Sequence, residues 1–324
     1  MKNSLVKSNI GKRDSNKLFS SKSEVNYPLV SVIIPLYNHE EYIVDTLDSI
    51  ITQNYPNIEI VLVDDGSKDK GLQLAKNKLS SIKFNHAILE NVVNKGISAT
   101  VNKGVSKAKG KYTCLIASDD LLAKGRIKQH IQILEKSTDP LVVACNSPIE
   151  VFEVGNSQLR KILKTEKNHT FESILTKKSN VTLQGCTFIT QALKKLSFDE
   201  DLFFEDWDFF IRFFYNNHKM IYDNNISAHY RKHDGGTNLN IVKMIESRNK
   251  IKEKYFEIIA SKNKKLANNF VFTINYLNLI GMSYQGYVSV WIITCIKIFI
   301  KNPINMIKKL RDIAWAFRNL LRNK

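Results

Sequence analysis

Residues 30–67 read VSVIIPLYNHEEYIVDTLDSIITQNYPNIEIVLVDDGS and decide the fold. The opening run VSVIIPL is rich in β-branched residues and predicts a buried first strand. Ile43, Leu47 and Ile50 follow at helical spacing, and IEIVLV over residues 58–63 predicts a second buried strand. Strands that are apolar on both faces are typical of a parallel sheet covered by helices.

The same alternation continues over the next fifty residues. In chain order, a helix is predicted at residues 69–82, a short strand at 86–89, a second helix at 98–108 and the buried strand YTCLIA at 112–117. This order predicts an α/β fold with a Rossmann-like, mostly parallel sheet flanked by helices. Beyond it, short strands and two helices, over residues 191–195 and 207–215, are predicted up to residue 231. Residues 150–180 are ambiguous, and the chain is predicted to be helical from residue 241.

The net charge of +17 is distributed unevenly along the 324 residues. Residues 1–28 contribute +4 and residues 241–324 contribute +12, which leaves +1 for residues 29–240. A nucleic-acid-binding protein more often has its basic charge on the folded body, so we expect no nucleic acid partner. Basic tails on a neutral body fit an anionic membrane surface.

Three parts of the chain are therefore predicted. They are a disordered basic leader over 1–28, an α/β domain over 29–240 and a helical basic extension over 241–324. The leader has no apolar run before Tyr27, and the four cysteines form no C-x-x-C pair. No secretory signal is predicted, and free thiols are typical of a reducing compartment, so we expect a cytoplasmic protein.

Two acidic pairs follow predicted buried strands. Asp64-Asp65 follows IEIVLV, and Asp119-Asp120 follows YTCLIA. Ligands of open α/β sheets bind beyond the carboxyl ends of the strands. Two acidic pairs at one edge repel each other unless a cation or ligand donors lie between them. Each pair alone could equally be a helix cap, but both at one predicted edge favour a binding site.

Three stretches of the sequence resemble the family 2 glycosyltransferases, which have the GT-A fold. They are SVIIPLYNHEEYIVDTLDSIITQNYPNIEIVLVDDGSKD, NKGISATVNKGVSKAKGKYTCLIASDDLL and FDEDLFFEDWDFFIRF, in the family's order between about residues 29 and 235. The resemblance implies transfer of a sugar from a nucleotide-diphosphate donor to an acceptor hydroxyl, with inversion at the anomeric carbon. It points to bacterial surface-polysaccharide synthesis, with a UDP- or dTDP-linked donor.

The resemblance also implies roles for the matching positions. Pro35, Leu36 and Tyr37 would line the nucleotide cleft, and Asp64 and Asp65 would face the base and ribose. An arginine that the family commonly has before Asn102 is replaced by other residues here. Lys95 or Arg231 is expected to take over its contacts, and Arg231 would reach the diphosphate.

The metal motif of the family matches Asp119 and Asp120. Asp120 is the first choice as direct ligand, Asp119 would contact the nucleotide, and Ser118 cannot supply a carboxylate. His233 lies where the family often has a His-containing segment and is a second candidate ligand, with a solvated basic loop as the alternative. Mg²⁺ or Mn²⁺ held there would neutralise the charge of a departing diphosphate.

The later acidic motif of the family matches Glu205 and Asp206, and Asp206 is the first choice as the base that accepts the acceptor's proton. The alternative is a cap on the helix that follows, and both roles are compatible. Trp207 is a candidate for stacking on an acceptor sugar, with a place in the core as the alternative.

The C-terminal extension predicts contact with a membrane. Residues 286–300 form an apolar run that Lys297 interrupts, shorter than the roughly 20 residues needed to span a bilayer. An apolar stripe with basic residues between its members follows at Met306, Ile307, Leu310, Ile313, Ala314, Phe317, Leu320 and Leu321. It predicts an amphipathic helix on the inner face of the plasma membrane, where the acceptor would be a lipid-linked or surface saccharide. The alternative is a helix packed on the domain with its basic face in solvent.

A second hypothesis keeps the fold but not the chemistry. It is a non-catalytic, membrane-associated binding or scaffold protein, against which the intact acidic motifs argue.

Overall fold

The computed structural model describes residues 27–154, 156–203, 205–233, 240–283, 288–301 and 303–322. The predicted leader therefore lies outside the described residues, apart from its last two. Strands β1 to β11 are Val30–Leu36, Ile58–Asp64, Asn85–Glu90, Tyr112–Leu115, Leu121–Leu122, Val142–Asn146, Ile149–Glu153, Asn156–Leu163, Cys186–Ile189, Lys219–Tyr222 and Ala228–Lys232. Helices α1 to α12 are Ile43–Ile51, Gly71–Ser80, Ile97–Lys107, Arg126–Glu135, Phe171–Leu175, Thr190–Leu196, Glu205–Tyr215, Ile241–Lys262, Lys264–Ser283, Val288–Lys301, Pro303–Lys308 and Leu310–Arg322.

The main sheet has seven strands in the order β10-β6-β9-β4-β1-β2-β3. β1 pairs in parallel with β2 and β4, β2 with β3, and β10 with β6. β9 is antiparallel to both of its neighbours. The carboxyl ends of the parallel strands, from β3 at one side to β10 at the other, therefore lie at one edge of the sheet. The predicted α/β fold with a GT-A-like, mostly parallel sheet is confirmed.

Helices cover both faces of this sheet, which explains why the central strands β1 and β2 are mostly apolar. Ile33 and Val63 belong to a cluster with residues of α3, whereas Ile34 and Leu62 belong to a second cluster with residues of α1, α2 and α4. Successive residues of a strand point to opposite faces, so a strand buried on both sides has no polar alternation.

A second sheet, with the order β5-β11-β7-β8, lies beside the metal motif. β5 begins directly after Asp120 and is antiparallel to β11, with His229 opposite Leu121. This pairing places the end of β11 next to the acidic pair. The ambiguous stretch 150–180 forms most of β7, β8 and the short helix α5.

The extension is helical, as predicted, and its first two helices share the core of the α/β domain. Ile251 of α8 and Phe270 of α9 belong to the same buried cluster as Trp207 of α7. Helices α10 to α12 form a smaller cluster with α9. The predicted boundary at residue 240 stays a prediction. Within the described ranges, no helix is both long and apolar enough to cross a membrane.

Candidate active site

Polar residues follow the ends of β1, β2 and β4 at one edge of the main sheet. β1 lies between the other two, so the loop after β1 separates the two acidic pairs. In this loop the main-chain N–H of Asn38 donates to Ser67 Oγ at 3.0 Å. Nδ1 of His39, in the same loop, lies 2.8 Å from Ser118 Oγ. The acidic pairs are therefore neighbours of one shared loop, as the strand pattern predicts.

Three side chains form the group that best fits a metal ion among the described residues. His39, Asp119 and His233 each offer a ligand atom, and these atoms all lie within 4.8 Å of one another. Nε2 of His233 lies 3.0 Å from Asp119 Oδ2, and Nε2 of His39 lies 3.8 Å from the same oxygen. The set arises because the ends of β1, β4 and β11 meet at this point.

Ser118 and Thr46 hold this group in place. Ser118 Oγ lies 2.8 Å from Nδ1 of His39, which leaves Nε2 directed at Asp119. Thr46 of α1 donates its hydroxyl to the carbonyl oxygens of Ser118 and Asp120, at 2.9 and 2.8 Å. Burial lowers the pKa of His39, although the charge of Asp119 acts in the opposite direction. A neutral imidazole whose other nitrogen is fixed is the form that binds metal ions.

Asp120 is completely buried behind this group. Its Oδ1 accepts a hydrogen bond from the main-chain N–H of Arg231 at 2.9 Å. Burial raises the pKa of Asp120 well above its usual range, and the charge of Asp119 raises it further, while the Arg231 N–H lowers it. The described contacts of Asp120 tie β11 to the metal motif. Its predicted role as the direct ligand stays a prediction.

Arg231 fastens the metal motif to α1 and to the second sheet. Its Nε donates to the carbonyl oxygen of Asp119 at 2.8 Å, and Nη2 lies 3.2 Å from Asp45 Oδ2. Its guanidinium lies 4.8 Å from the ring centre of Tyr42 and 5.2 Å from that of Phe152. Arg231 thus positions the loop that contains Asp119, and its predicted contact with a diphosphate stays a prediction.

Asp65 fixes the loop between β3 and α3. Its carboxylate accepts hydrogen bonds from the Asn91 side-chain amide and from the main-chain N–H groups of Lys95 and Gly96, at 2.8–2.9 Å. The Lys95 side chain is exposed. The structure therefore brings Asp65 and Lys95 together through the main chain of Lys95.

Asp64 keeps one oxygen available. Oδ2 accepts the N–H groups of Gly66 and Ser67, both at 3.1 Å, whereas Oδ1 is buried and has no hydrogen-bond partner among the described residues. A buried acceptor without a partner is costly unless a ligand or water satisfies it. Asp64 is thus the better of the two candidates for receiving a donor group of a nucleotide.

The predicted cleft-lining residues lie at the end of β1. Leu36 is buried in the core, Pro35 is half-buried, and the Tyr37 ring is exposed. The carbonyl oxygen of Leu36 accepts the N–H of Asp65 at 2.8 Å. Of the three, Tyr37 has the side chain that is accessible to a ligand.

The predicted base, Asp206, lies in the first turn of α7. This turn follows the segment whose Leu202 carbonyl oxygen accepts from Ser98 of α3, and α3 begins at the same edge of the sheet. Burial raises the pKa of Asp206, whereas the charges of Lys177 and Arg248 lower it. Its Oδ1 is buried without a hydrogen-bond partner among the described residues.

Glu205 is the first residue of α7, and its side chain lies outside what the structure describes. Trp207 lies in the core at 1% exposure, as the alternative expected. Its Nε1 donates to the carbonyl oxygen of Ile174 at 2.9 Å, and its ring lies edge-on to Phe270. These contacts leave almost none of the ring exposed for stacking on a sugar.

His39 is the site residue that the sequence interpretation missed. Asn38 and the acidic residues after His39 indicate the start of a helix, and this pattern obscured the position of His39 directly beyond the end of β1. That position is the signal that identifies His39, because the sequence predicts the polar residues after β2 and β4 at the same edge.

Comparisons with known proteins identify the family and the fold. The sequence model of the family described as Glycosyl transferase family 2 matches residues 31–201. An uncharacterised glycosyltransferase of Rickettsia typhi is 29% identical over 233 residues, which cover 69% of this chain and 70% of the relative.

Two solved structures share the fold. S. aureus TarS 1–349, in complex with UDP-GlcNAc, has a TM-score of 0.65 at 20% identity and matches 91% of this chain and 89% of its own. The mannosyltransferase PcManGT from Pyrobaculum calidifontis, in complex with GDP-Man and Mn²⁺, has a TM-score of 0.57 at 15% identity and matches 92% and 88% of the two chains.

Proposed function

This chain belongs to glycosyl transferase family 2 and has the GT-A fold, and on that premise we propose that it transfers a hexosyl or related sugar from a nucleotide-diphosphate donor to an acceptor hydroxyl with inversion. The observation that carries the proposal is the convergence of His39, Asp119 and His233 at the carboxyl edge of the sheet, where Asp64 ends the neighbouring strand β2. Ligands of such sheets bind at this edge.

The nucleotide is proposed to lie against the ends of β1 and β2. Asp64 Oδ1 is a buried acceptor that lacks a described partner, and a pyrimidine base or a ribose offers the N–H or O–H that would satisfy it. Tyr37 is exposed and follows Leu36, which pairs with Asp64 in the sheet. TarS is described in complex with UDP-GlcNAc, which supports a UDP- or dTDP-linked donor here.

His39, Asp119 and His233 fit a divalent cation, because their donors converge and Ser118 holds the ring of His39 with Nε2 directed at Asp119. Two imidazoles and one carboxylate suit Mn²⁺ better than Mg²⁺, which strongly prefers oxygen ligands. Bound there, the cation would neutralise negative charge on the departing diphosphate. The Mn²⁺ in the PcManGT structure supports this choice.

Asp206 is proposed to accept the proton of the acceptor hydroxyl. The freed oxygen then forms a bond to the anomeric carbon on the face opposite the departing diphosphate, which inverts the configuration. A carboxylate with a raised pKa is a stronger base than an unperturbed one, and Asp206 Oδ1 has no hydrogen-bond partner among the described residues.

The acceptor is proposed to be a saccharide held at the inner face of the plasma membrane, as on a lipid carrier of cell-envelope polysaccharide synthesis. The net charge of +12 over residues 241–324 supports this location, because the cytoplasmic leaflet is anionic.

The test is release of nucleoside diphosphate from a panel of UDP-, dTDP- and GDP-sugars, with and without Mn²⁺. We expect Mn²⁺-dependent release from a UDP- or dTDP-sugar, and with an acceptor extract we expect Asp206→Asn to bind donor normally and transfer about 10²–10⁴ times more slowly. Asp201→Asn, an exposed carboxylate five residues earlier, is the matched control and should behave as the wild type. Normal transfer by Asp206→Asn would disprove the base assignment, and no release from any donor would favour the non-catalytic alternative.

A further inference from the structure

We infer that one face of α10 and α11 docks this protein onto an anionic lipid bilayer. This docking face consists of Ile292, Ile296, Phe299, Ile300, Ile304 and Ile307. The inference deepens the proposed function and rests on its membrane-held acceptor, because it names the surface that would bring the site to that acceptor.

The docking face is a set of six large apolar side chains that the fold leaves exposed. The exposed fraction of its six residues ranges from 42% for Ile292 to 73% for Ile300. Four of the six residues, Ile292, Ile296, Phe299 and Ile300, belong to α10. Their spacing of four, three and one residues places them within about 100° of the helix circumference. Two consecutive helices thus present large apolar side chains to solvent, which is uncommon for a surface without a partner.

The other side of the same helices explains why this face is not part of the core. Trp291 and Ile298 of α10 and Met306 of α11 are buried in a cluster with Phe272 and Leu279 of α9. This packing fixes the rotation of α10 and α11. The docking face is therefore held outward by buried residues on the same two helices.

The predicted amphipathic stripe divides between these two environments. Met306 and Ile313 pack inward, whereas Ile307 and Ala314 are exposed. Phe317 of α12 has its ring centre 5.4 Å from that of Trp291. The described part of α12 thus packs on α9 to α11, while the six large apolar side chains of the docking face on α10 and α11 stay exposed.

The charge around the docking face selects the partner. Residues 288–322 contain seven Lys or Arg and a single acidic residue, Asp312. Lys297 on α10 and Lys308 on α11 are both exposed, and Lys308 is one residue from Ile307 of the docking face. Long basic side chains can reach anionic headgroups while neighbouring apolar residues enter the boundary with the acyl chains.

A second copy of the chain fits this face less well. In a symmetric dimer the same basic residues would meet each other, and buried like charges are costly. Anionic headgroups instead complement these charges, and a bilayer also accepts the apolar strip. Charge complementarity therefore favours the bilayer.

The test is co-sedimentation of the full chain with vesicles of phosphatidylcholine alone or with about 30% phosphatidylglycerol, without donor or acceptor. We expect the wild type to bind the anionic vesicles and to bind the neutral ones much more weakly. Ile296→Asn/Ile300→Asn should lower the partition coefficient at least tenfold, by the lost apolar insertion. Lys297→Gln/Lys308→Gln should weaken binding to anionic vesicles and have little effect on neutral ones.

Matched controls lie elsewhere on the same chain. Val242→Asn/Ile258→Asn removes two exposed apolar residues of α8, and Lys68→Gln/Lys83→Gln removes two exposed charges of the α/β domain. Both controls should bind vesicles as the wild type does. Circular dichroism should show every variant folded, since all the altered side chains are exposed.

Several results would overturn the inference. One is vesicle binding by the wild type that does not depend on phosphatidylglycerol, and another is unchanged binding by Ile296→Asn/Ile300→Asn. A third is a wild-type dimer in analytical ultracentrifugation that becomes a monomer in this double variant. Release of nucleoside diphosphate in the absence of vesicles separates the two proposals. If release persists and vesicle binding fails, only the docking inference is wrong. If the protein binds vesicles but releases no nucleoside diphosphate, only the glycosyltransferase proposal is wrong.

Discussion

The hydroxyl oxygen of Ser118 lies 2.8 Å from Nδ1 of His39. Ser118 occupies the place where a D-x-D motif would have its first carboxylate, and the hydrogen bond gives it another role. It fixes the ring of His39 so that Nε2 is directed at Asp119. The sequence has no carboxylate at this position, and His39 from the neighbouring loop is the proposed ligand in its place.

Removing this hydroxyl should weaken metal binding without unfolding the protein. We expect Ser118→Ala to raise the Kd for Mn²⁺ about tenfold, because groups that orient a ligating histidine typically affect affinity by about 10- to 100-fold. Free Mn²⁺ is measured by electron paramagnetic resonance during titration. Ser106→Ala, an exposed hydroxyl on α3, is the control and should leave the Kd unchanged. Equal affinities for Ser118→Ala and the wild type would contradict the orienting role.

Lys177 should set the pH at which transfer becomes active. Its ammonium lies 4.9 Å from the ring centre of Trp207, the residue after Asp206, and its charge lowers the pKa of Asp206 against the effect of burial. As the proposed base, Asp206 works when ionised, so we expect activity to rise as the pH passes the pKa of Asp206. Lys177→Met removes the lowering effect, and the acidic limb of the kcat/KM profile should move to higher pH.

The substitution Lys177→Arg is the matched comparison for this profile. It keeps the positive charge, and like methionine it must adopt the left-handed φ of 49° found at this position. Its acidic limb should stay close to that of the wild type. If methionine and arginine give the same profile, Lys177 acts on the fold and not on Asp206.

Trp207→Phe distinguishes a core residue from an acceptor contact. The change leaves the carbonyl of Ile174 without its indole N–H and leaves a small cavity, so the free energy of unfolding should fall by about 2 kcal/mol. The KM for the acceptor should stay within about twofold of wild type. Urea unfolding and steady-state kinetics measure the two quantities, with the exposed Trp315→Phe as the control. A raised acceptor KM with unchanged stability would restore the stacking role.

The first half of the fold follows from sequence because its strands are buried on both faces. β1, β2 and β4 appear as apolar runs, and the polar residues after them lie at the edge that parallel pairing requires. β9 could not be placed this way, because its antiparallel insertion between β4 and β6 depends on tertiary pairing.

In the candidate site, too, the contacts that depend on tertiary structure could not be predicted from the sequence. Asp119 and Asp120 are adjacent in sequence and equivalent in type, yet one lies beside two histidines and the other is buried against the main chain of Arg231. Only the approach of β11, more than a hundred residues later, separates their environments. The extension is similar, because the rotation of α10 depends on contacts with α9 that no periodicity specifies.

The central claim is that His39, Asp119 and His233 together bind the cation that the nucleotide requires. The most direct measurement is Mn²⁺ titration by electron paramagnetic resonance, with and without UDP, for the wild type, Asp119→Asn and Asp120→Asn. We predict that Asp119→Asn loses Mn²⁺ binding and its enhancement by UDP, while Asp120→Asn, which keeps an acceptor for the Arg231 N–H, changes the Kd by less than about threefold. Tight Mn²⁺ binding by Asp119→Asn would contradict this claim. Loss of Mn²⁺ binding in Asp120→Asn but not in Asp119→Asn would contradict it as well.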